Sequence, residues 1–187
     1  MSAVALLCID VINAFDFEGC EPLVAAATRA APRIRTLQHR ARTAGVPVVY
    51  VNDNFGRWRS DFHQTVESCC EPSRPGHLVS SQLRPHDSDY FVLKPRHSGF
   101  FCTPLELLLQ NLGVRHLVLV GFATNICLLF TASDAHMREY RVVVASDCTA
   151  SNSEQLTDRA LEHMRLVSNA SIVSSDELDF GRYSSVA

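Results

Sequence analysis

Residues 116–127 read His116-Leu-Val-Leu-Val120-Gly121-Phe-Ala-Thr-Asn-Ile-Cys127. From Leu117 the run is continuously apolar, without alternation, so it predicts a strand covered on both faces, as in a parallel sheet flanked by helices. Gly121 ends it, a short turn follows, and a helix opens near Asn125. Working outward, runs of the same kind recur at Val4–Ile9, Val46–Val51, Tyr90–Leu93, Arg141–Ala145 and Ser171–Val173. Stretches of helical spacing separate them. Ile34, Leu37 and Ala41 share a face, with Pro32 near the predicted start and Gly45 past the end. Leu105–Leu112 follows Thr103-Pro104 and stops at Gly113. A further helix is predicted over Leu128–Arg138. The last opens at the capping-box pattern Ser151-Asn-Ser-Glu154 and is expected to bury Leu156, Ala160, Met164 and Val167. Alternation of this kind predicts a three-layer α/β/α sandwich with a six-stranded, mostly parallel sheet and right-handed crossovers.

The length of 187 residues suits one domain, 1–187. One segment, about 54–88, is rich in Arg, His, Ser, Pro and Gly and breaks the alternation. Following a strand's carboxyl end, it reads as an inserted loop that forms a lid. The net charge of −3 leaves no electrostatic footprint for nucleic acid or an anionic membrane. No apolar run reaches the roughly 18–20 residues of a membrane-spanning helix. The first residues run straight into Asp10 without a basic leader, and seven cysteines are scattered without pairing or zinc spacing. Reduced thiols in the cytoplasm are the expectation. A dinucleotide oxidoreductase is not expected, because the first strand leads into Asp10-Val-Ile-Asn with no glycine-rich turn.

In an open parallel sheet, ligands bind at the carboxyl ends of the strands. Asp10, Asp53, Lys94 and Cys127 all fall at or just beyond such ends. Cys127 stands in the first turn of a predicted helix, where the dipole and unpaired N–H groups favour a thiolate. Taken alone it reads equally as a buried small hydrophobe, as do Cys8, Cys20, Cys102 and Cys148. Lys94 closes the apolar strand Phe-Val-Leu-Lys, where an ammonium would lower a neighbouring thiol's pKa; alone, it could simply mark a strand's exit into solvent. Asp10 is either a carboxylate at a strand end or a base for thiol and water. Together the three make a nucleophile–base set.

These residues resemble a known family. Gly121-Phe-Ala-Thr-Asn-Ile-Cys127, followed by Thr131-Ala and Asp134-Ala, is similar to the nucleophile segment of isochorismatase-like cysteine hydrolases. Leu7-Cys-Ile-Asp10-Val-Ile-Asn-Ala-Phe15 resembles that family's opening strand and acid motif, and Val92-Leu-Lys94-Pro-Arg-His-Ser98-Gly-Phe100 its lysine motif. Order and spacing match from about residue 4 to 174. The resemblance implies the family's fold, in the strand order 3-2-1-4-5-6, and a triad. Asp10 would be general base, Lys94 would stabilise charge near the thiol, and Cys127 would attack a carbonyl. It also implies a cis Phe122–Ala123 peptide and an oxyanion hole from the N–H groups of Ala123 and Cys127. Phe15 and Trp58 would wall a small flat substrate, or pack as core beneath a loop. Arg57 and Arg59 flank Trp58 and could meet an anionic substrate, although on composition they read as a solvated lid face.

The sequence also departs from its relatives. Metal-binding nicotinamidases carry Asp-x-His after the second strand, whereas this chain has Asp53-Asn-Phe55, so neither metal nor other cofactor is expected. His63, His77 and His86 lie in the insert without zinc spacing. Ile12 stands where the opening motif commonly has glutamine. The expectation is a cysteine-dependent hydrolase that cleaves a C–N bond of a small amide or ureido compound through a thioester. Its partner would be that small molecule, with no nucleic acid or membrane, and it would assemble as a homodimer or homotetramer. The alternatives are isochorismatase-type ether hydrolysis, a thiol-redox protein, or a non-catalytic module on the same fold.

Overall fold

Each apolar run becomes a strand, and every strand pairs in parallel. In the computed structural model, which describes residues 3–56 and 61–184, the order is β3-β2-β1-β4-β5-β6. The strands are β1 (Val4–Ile9), β2 (Val48–Asp53), β3 (Tyr90–Lys94), β4 (His116–Phe122), β5 (Arg141–Ala150) and β6 (Ser171–Val173). The helices are α1 (Glu21–Thr43), α2 (Phe62–Cys69), α3 (His77–Gln82), α4 (Leu105–Asn111), α5 (Leu129–Met137), α6 (Glu154–Val167) and α7 (Gly181–Ser184). β1 lies between β2 and β4, with Leu6 opposite Val48 and Val4 opposite His116.

Side chains of β1 alternate between two cores. Leu6 and Cys8 meet α1 with its buried Ala27, Ala31, Ile34 and Leu37, while Ala5, Leu7 and Ile9 meet Leu105, Leu109, Leu128 and Ala132. Each buried Leu or Ile contributes about 1.5–3 kcal/mol, so this double coverage, predicted from unbroken apolarity, holds the layers together.

Several predicted boundaries move. α1 begins at Glu21 with Pro22 in its first turn, and Pro32 lies inside the helix. The alanine-rich stretch from Ala25 to Ala31, strong in helix propensity, carries the helix up to that missing donor. Ser153 rather than Ser151 caps α6, accepting from the Leu156 N–H. α6 buries Ala160 and Met164, but Leu156 and Val167 are exposed, so the helical period is right and the buried face narrower than expected.

The largest correction concerns 54–88. It contains α2, capped by the Asp61 side chain, and α3. Ser80 of α3 accepts from the Asn13 N–H and donates to the Asn13 carbonyl, both at 3.0 Å, and the Gly76 N–H donates to the Ala14 carbonyl. A β-carbon on Gly76 would lie 2.2 Å from the Asn13 oxygen and 2.4 Å from the Phe15 ring. This part of the insert therefore braces the loop after β1 from beneath.

Candidate active site

β1, β2 and β3 end side by side, with Asp53 opposite Lys94 in register. Lys94 belongs to the outermost of the three, two strand spacings from β1, and its fully buried side chain crosses that gap. Its Nζ lies 2.8 Å from Asp10 Oδ2, 3.7 Å from Asp53 Oδ2 and 3.6 Å from Cys127 Sγ, and donates to the Arg96 carbonyl at 3.2 Å. Carboxylate, thiol and carbonyl account for its three protons.

Asp10 is turned into this position by its backbone. It has φ 49°, a left-handed conformation that aspartate tolerates better than most residues. Its Oδ1 accepts the Asp53 N–H at 2.7 Å, and it hydrogen-bonds the Cys127 thiol. One residue earlier, buried Asn52 accepts from the Ile12 N–H and donates to the Ile12 carbonyl. Ile12 itself points into the core, so its replacement of glutamine puts an apolar side chain among others.

Cys127 enters from β4. Gly121 has φ 119°, and a β-carbon there would lie 1.9 Å from the Ile9 oxygen, so only glycine lets β4 run this close to β1. The Phe122–Ala123 peptide is cis. Next comes a single π-turn, Thr124–Leu128, before α5 proper, the kind of local widening that concentrates at functional sites. Cys127 is the fourth residue of that turn and is half-buried.

Electrostatics correct one expectation. Burial pushes the Cys127 thiol well up, and the Asp10 charge adds to this; Lys94 pulls the other way without winning. The resting thiol is therefore protonated rather than a preformed thiolate. Asp10 is also above the usual carboxylate range, because burial outweighs the Lys94 ammonium, the thiol hydrogen bond and the Asp53 N–H. For Lys94 burial works downward, but Asp10, Cys127 and Asp53 together hold it above its ordinary value, so it stays charged.

The remaining candidates divide. Phe15 is fully buried between Phe17 and Phe122, with ring centroids 6.5 and 6.1 Å away. It packs as core and offers no surface to a substrate. Trp58, Arg57 and Arg59 lie outside the described residues. Asp53 turns one oxygen to the Phe55 N–H and the other toward Lys94, while the Phe55 ring is exposed. No group of three or more His, Cys, Asp or Glu among the described residues is arranged to hold a metal ion. Sequence reasoning missed Asn52, Ser80 and Gly76, whose roles depend on distant backbone.

The chain is similar to known proteins over most of its length. Residues 4–177 match the isochorismatase domain family. The chain is 40% identical to the isochorismatase family protein YaaI of Bacillus subtilis over 174 residues, covering 93% of this chain and 95% of that protein. It is 30% identical to the ureidoacrylate amidohydrolase RutB of an Enterobacter species, covering 83% and 79% of the two chains. The N-carbamoylsarcosine amidase of Thermoplasma acidophilum superposes with a TM-score of 0.73 at 28% identity, over 96% of this chain and 99% of that one. By its sequence, its all-parallel sheet and its close structural neighbours, the chain belongs to the isochorismatase family of hydrolases.

Proposed function

We propose that this enzyme hydrolyses a C–N bond of a small amide or ureido compound through a thioester on Cys127. One observation carries the reading: the Lys94 ammonium is within hydrogen-bonding reach of both the Asp10 carboxylate and the Cys127 sulfur. The thiol proton passes to Asp10, whose raised affinity for protons suits it as acceptor. The thiolate forms beside an ammonium already in place, so the buried site's net charge does not change. The sulfur then attacks the carbonyl, and the N–H groups of Ala123 and Cys127 receive the developing oxyanion. Donors of this kind are worth about 3–4 kcal/mol of barrier in acyl transfer. Collapse expels the amine, which takes the proton from Asp10. Asp10 next removes a proton from water, and hydroxide cleaves the thioester to release acid and free thiol.

The names of two relatives, a ureidoacrylate amidohydrolase and an N-carbamoylsarcosine amidase, support ureido and carbamoyl compounds as the first substrates to try. The test is a screen of small amides and ureido acids for ammonia release, run on wild type and Cys127→Ser. Release that depends on Cys127 supports the reading; equal release from both proteins overturns it. The chain is further proposed to act as a homodimer or homotetramer, with Ile126 and Phe130 exposed next to the candidate nucleophile. Light scattering at micromolar concentration checks this, and a monomer refutes it.

A further inference from the structure

The motif residues Thr131 and Asp134 are not used by the chemistry above, yet both reach back to the loop that follows Lys94. Thr131 is fully buried on α5. Its hydroxyl donates to the Cys127 carbonyl at 2.7 Å and accepts the Gly99 N–H at 3.0 Å. A helical Ser or Thr bonding the carbonyl four residues back is common in isolation. Among the described residues five others do the same, Thr28 to Val24, Thr36 to Pro32, Thr65 to Asp61, Ser133 to Leu129 and Thr157 to Ser153. Thr131 differs from these because it also takes an N–H from a segment 32 residues away. One turn along, the Asp134 carboxylate accepts from the Ser98 hydroxyl, which itself accepts the Phe100 N–H. Arg138 holds Asp134 from the far side at 3.3 Å. The lysine loop is thus fastened twice to one face of α5. Gly99 lets this loop sit close to the core, since a β-carbon there would lie 2.8 Å from Val51 and 3.2 Å from Leu105.

We infer that Thr131 is a positioning residue: its hydroxyl locks the lysine loop to the backbone of Cys127 and so fixes the spacing between Lys94 Nζ and Cys127 Sγ. That spacing, 3.6 Å, is long for a hydrogen bond to most atoms and near the limit for sulfur, so a small shift weakens the ammonium's hold on the thiolate. The inference rests on Cys127 being the nucleophile. Its test needs no turnover, so it can fail while that reading stands.

Thr131→Val keeps the shape and deletes the hydroxyl. The measurement is the iodoacetamide alkylation rate of Cys127 against pH, followed by peptide mapping because Cys102 is exposed. The expected result is an approximately 10-fold slower alkylation at neutral pH, with the profile displaced upward, and restoration to within about twofold in Thr131→Ser. With a substrate in hand, kcat should fall about 10-fold while KM changes less than twofold. Ser133→Ala, which removes a back-bond without a distant partner, should match wild type. Should Thr131→Val fail to fold, Ser98→Ala cuts the second fastening and should slow alkylation about threefold. A folded Thr131→Val with a wild-type alkylation profile overturns the inference and leaves Thr131 as a brace for stability alone. A wild-type profile in Ser98→Ala overturns the claim of a double fastening.

Discussion

The backbone N–H of Asp53 donates to Asp10 Oδ1 at 2.7 Å, so the end of β2 holds one oxygen of the carboxylate and leaves the other to Lys94. Asp10 is gripped by main chain on one side and by a charged group on the other. The carboxylate cannot rotate without breaking one of these bonds, and it therefore keeps a fixed orientation toward the thiol.

Asp10 must be ionised to accept the thiol proton, and burial places its pKa above the ordinary carboxylate value of about 3.9. Acidification should therefore abolish activity at a higher pH than an exposed aspartate would require. The rate rises as pH climbs through the pKa of Asp10 and is lost as pH falls through it. Asp10→Asn should lack this acid limb and turn over at least about 10²-fold more slowly. A pH–rate profile of kcat/KM for both proteins tests it; an unchanged acid limb in the mutant would assign the titration to another group.

Lys94→Met should raise the thiol's pKa further, because Lys94 is the main group pulling it down. Alkylation of Cys127 at neutral pH should slow by about 10-fold or more. The same change leaves the buried Asp10 without its ion pair and should cost about 3–5 kcal/mol if the carboxylate stays charged. Alkylation kinetics and urea unfolding separate the two effects. An unchanged alkylation profile would mean that Lys94 serves only structure.

Cys127→Ser should lower kcat by a factor on the order of 10³ or more, since serine ionises far less readily than a thiol. Rapid acid quench of wild type with substrate, then intact-mass and peptide analysis, should find the acyl group on Cys127. Cys8 and Cys148 are poor competitors because both are fully buried, whereas Cys127 is only half-buried. An adduct on any other cysteine would contradict the thioester mechanism.

Chelation should leave activity unchanged, because Phe55 stands where metal-binding relatives place a histidine and Asp53 already faces Lys94. Elemental analysis of active protein before and after chelator tests this. Stoichiometric zinc or iron whose removal abolishes turnover would refute it.

Gly121→Ala should cost about 3 kcal/mol or more, since its β-carbon would strike the Ile9 backbone. Gly113→Ala, also at positive φ but with open space around it, should cost only about 1 kcal/mol. Thermal unfolding of the two variants compares them. Equal losses would show that conformation, and not close approach, governs Gly121.

The sheet was legible because strands covered on both faces show unbroken apolarity. Three motif residues at strand ends were legible because parallel strands place their carboxyl ends along one edge. The state of the thiol was not legible. A helix N-terminus and a lysine both argue for thiolate, whereas the opposing burial exists only once the layers close. The helices of the insert left a faint trace: Asp61 as cap, with Phe62, Val66 and Cys69 at helical spacing, over a stretch too short to stand out from its polar surroundings. Phe15 could be read as wall or core, and its contact with Phe122 joins residues more than a hundred apart in sequence.

The closeness of Gly76 to Asn13 and Phe15 limits how this enzyme can be re-engineered. An insert transplanted from a relative would arrive without the matching first loop and would leave Asn13 unsupported, tilting the segment that carries Asp10. Chimeras should therefore exchange residues 11–15 and 74–80 as a matched pair.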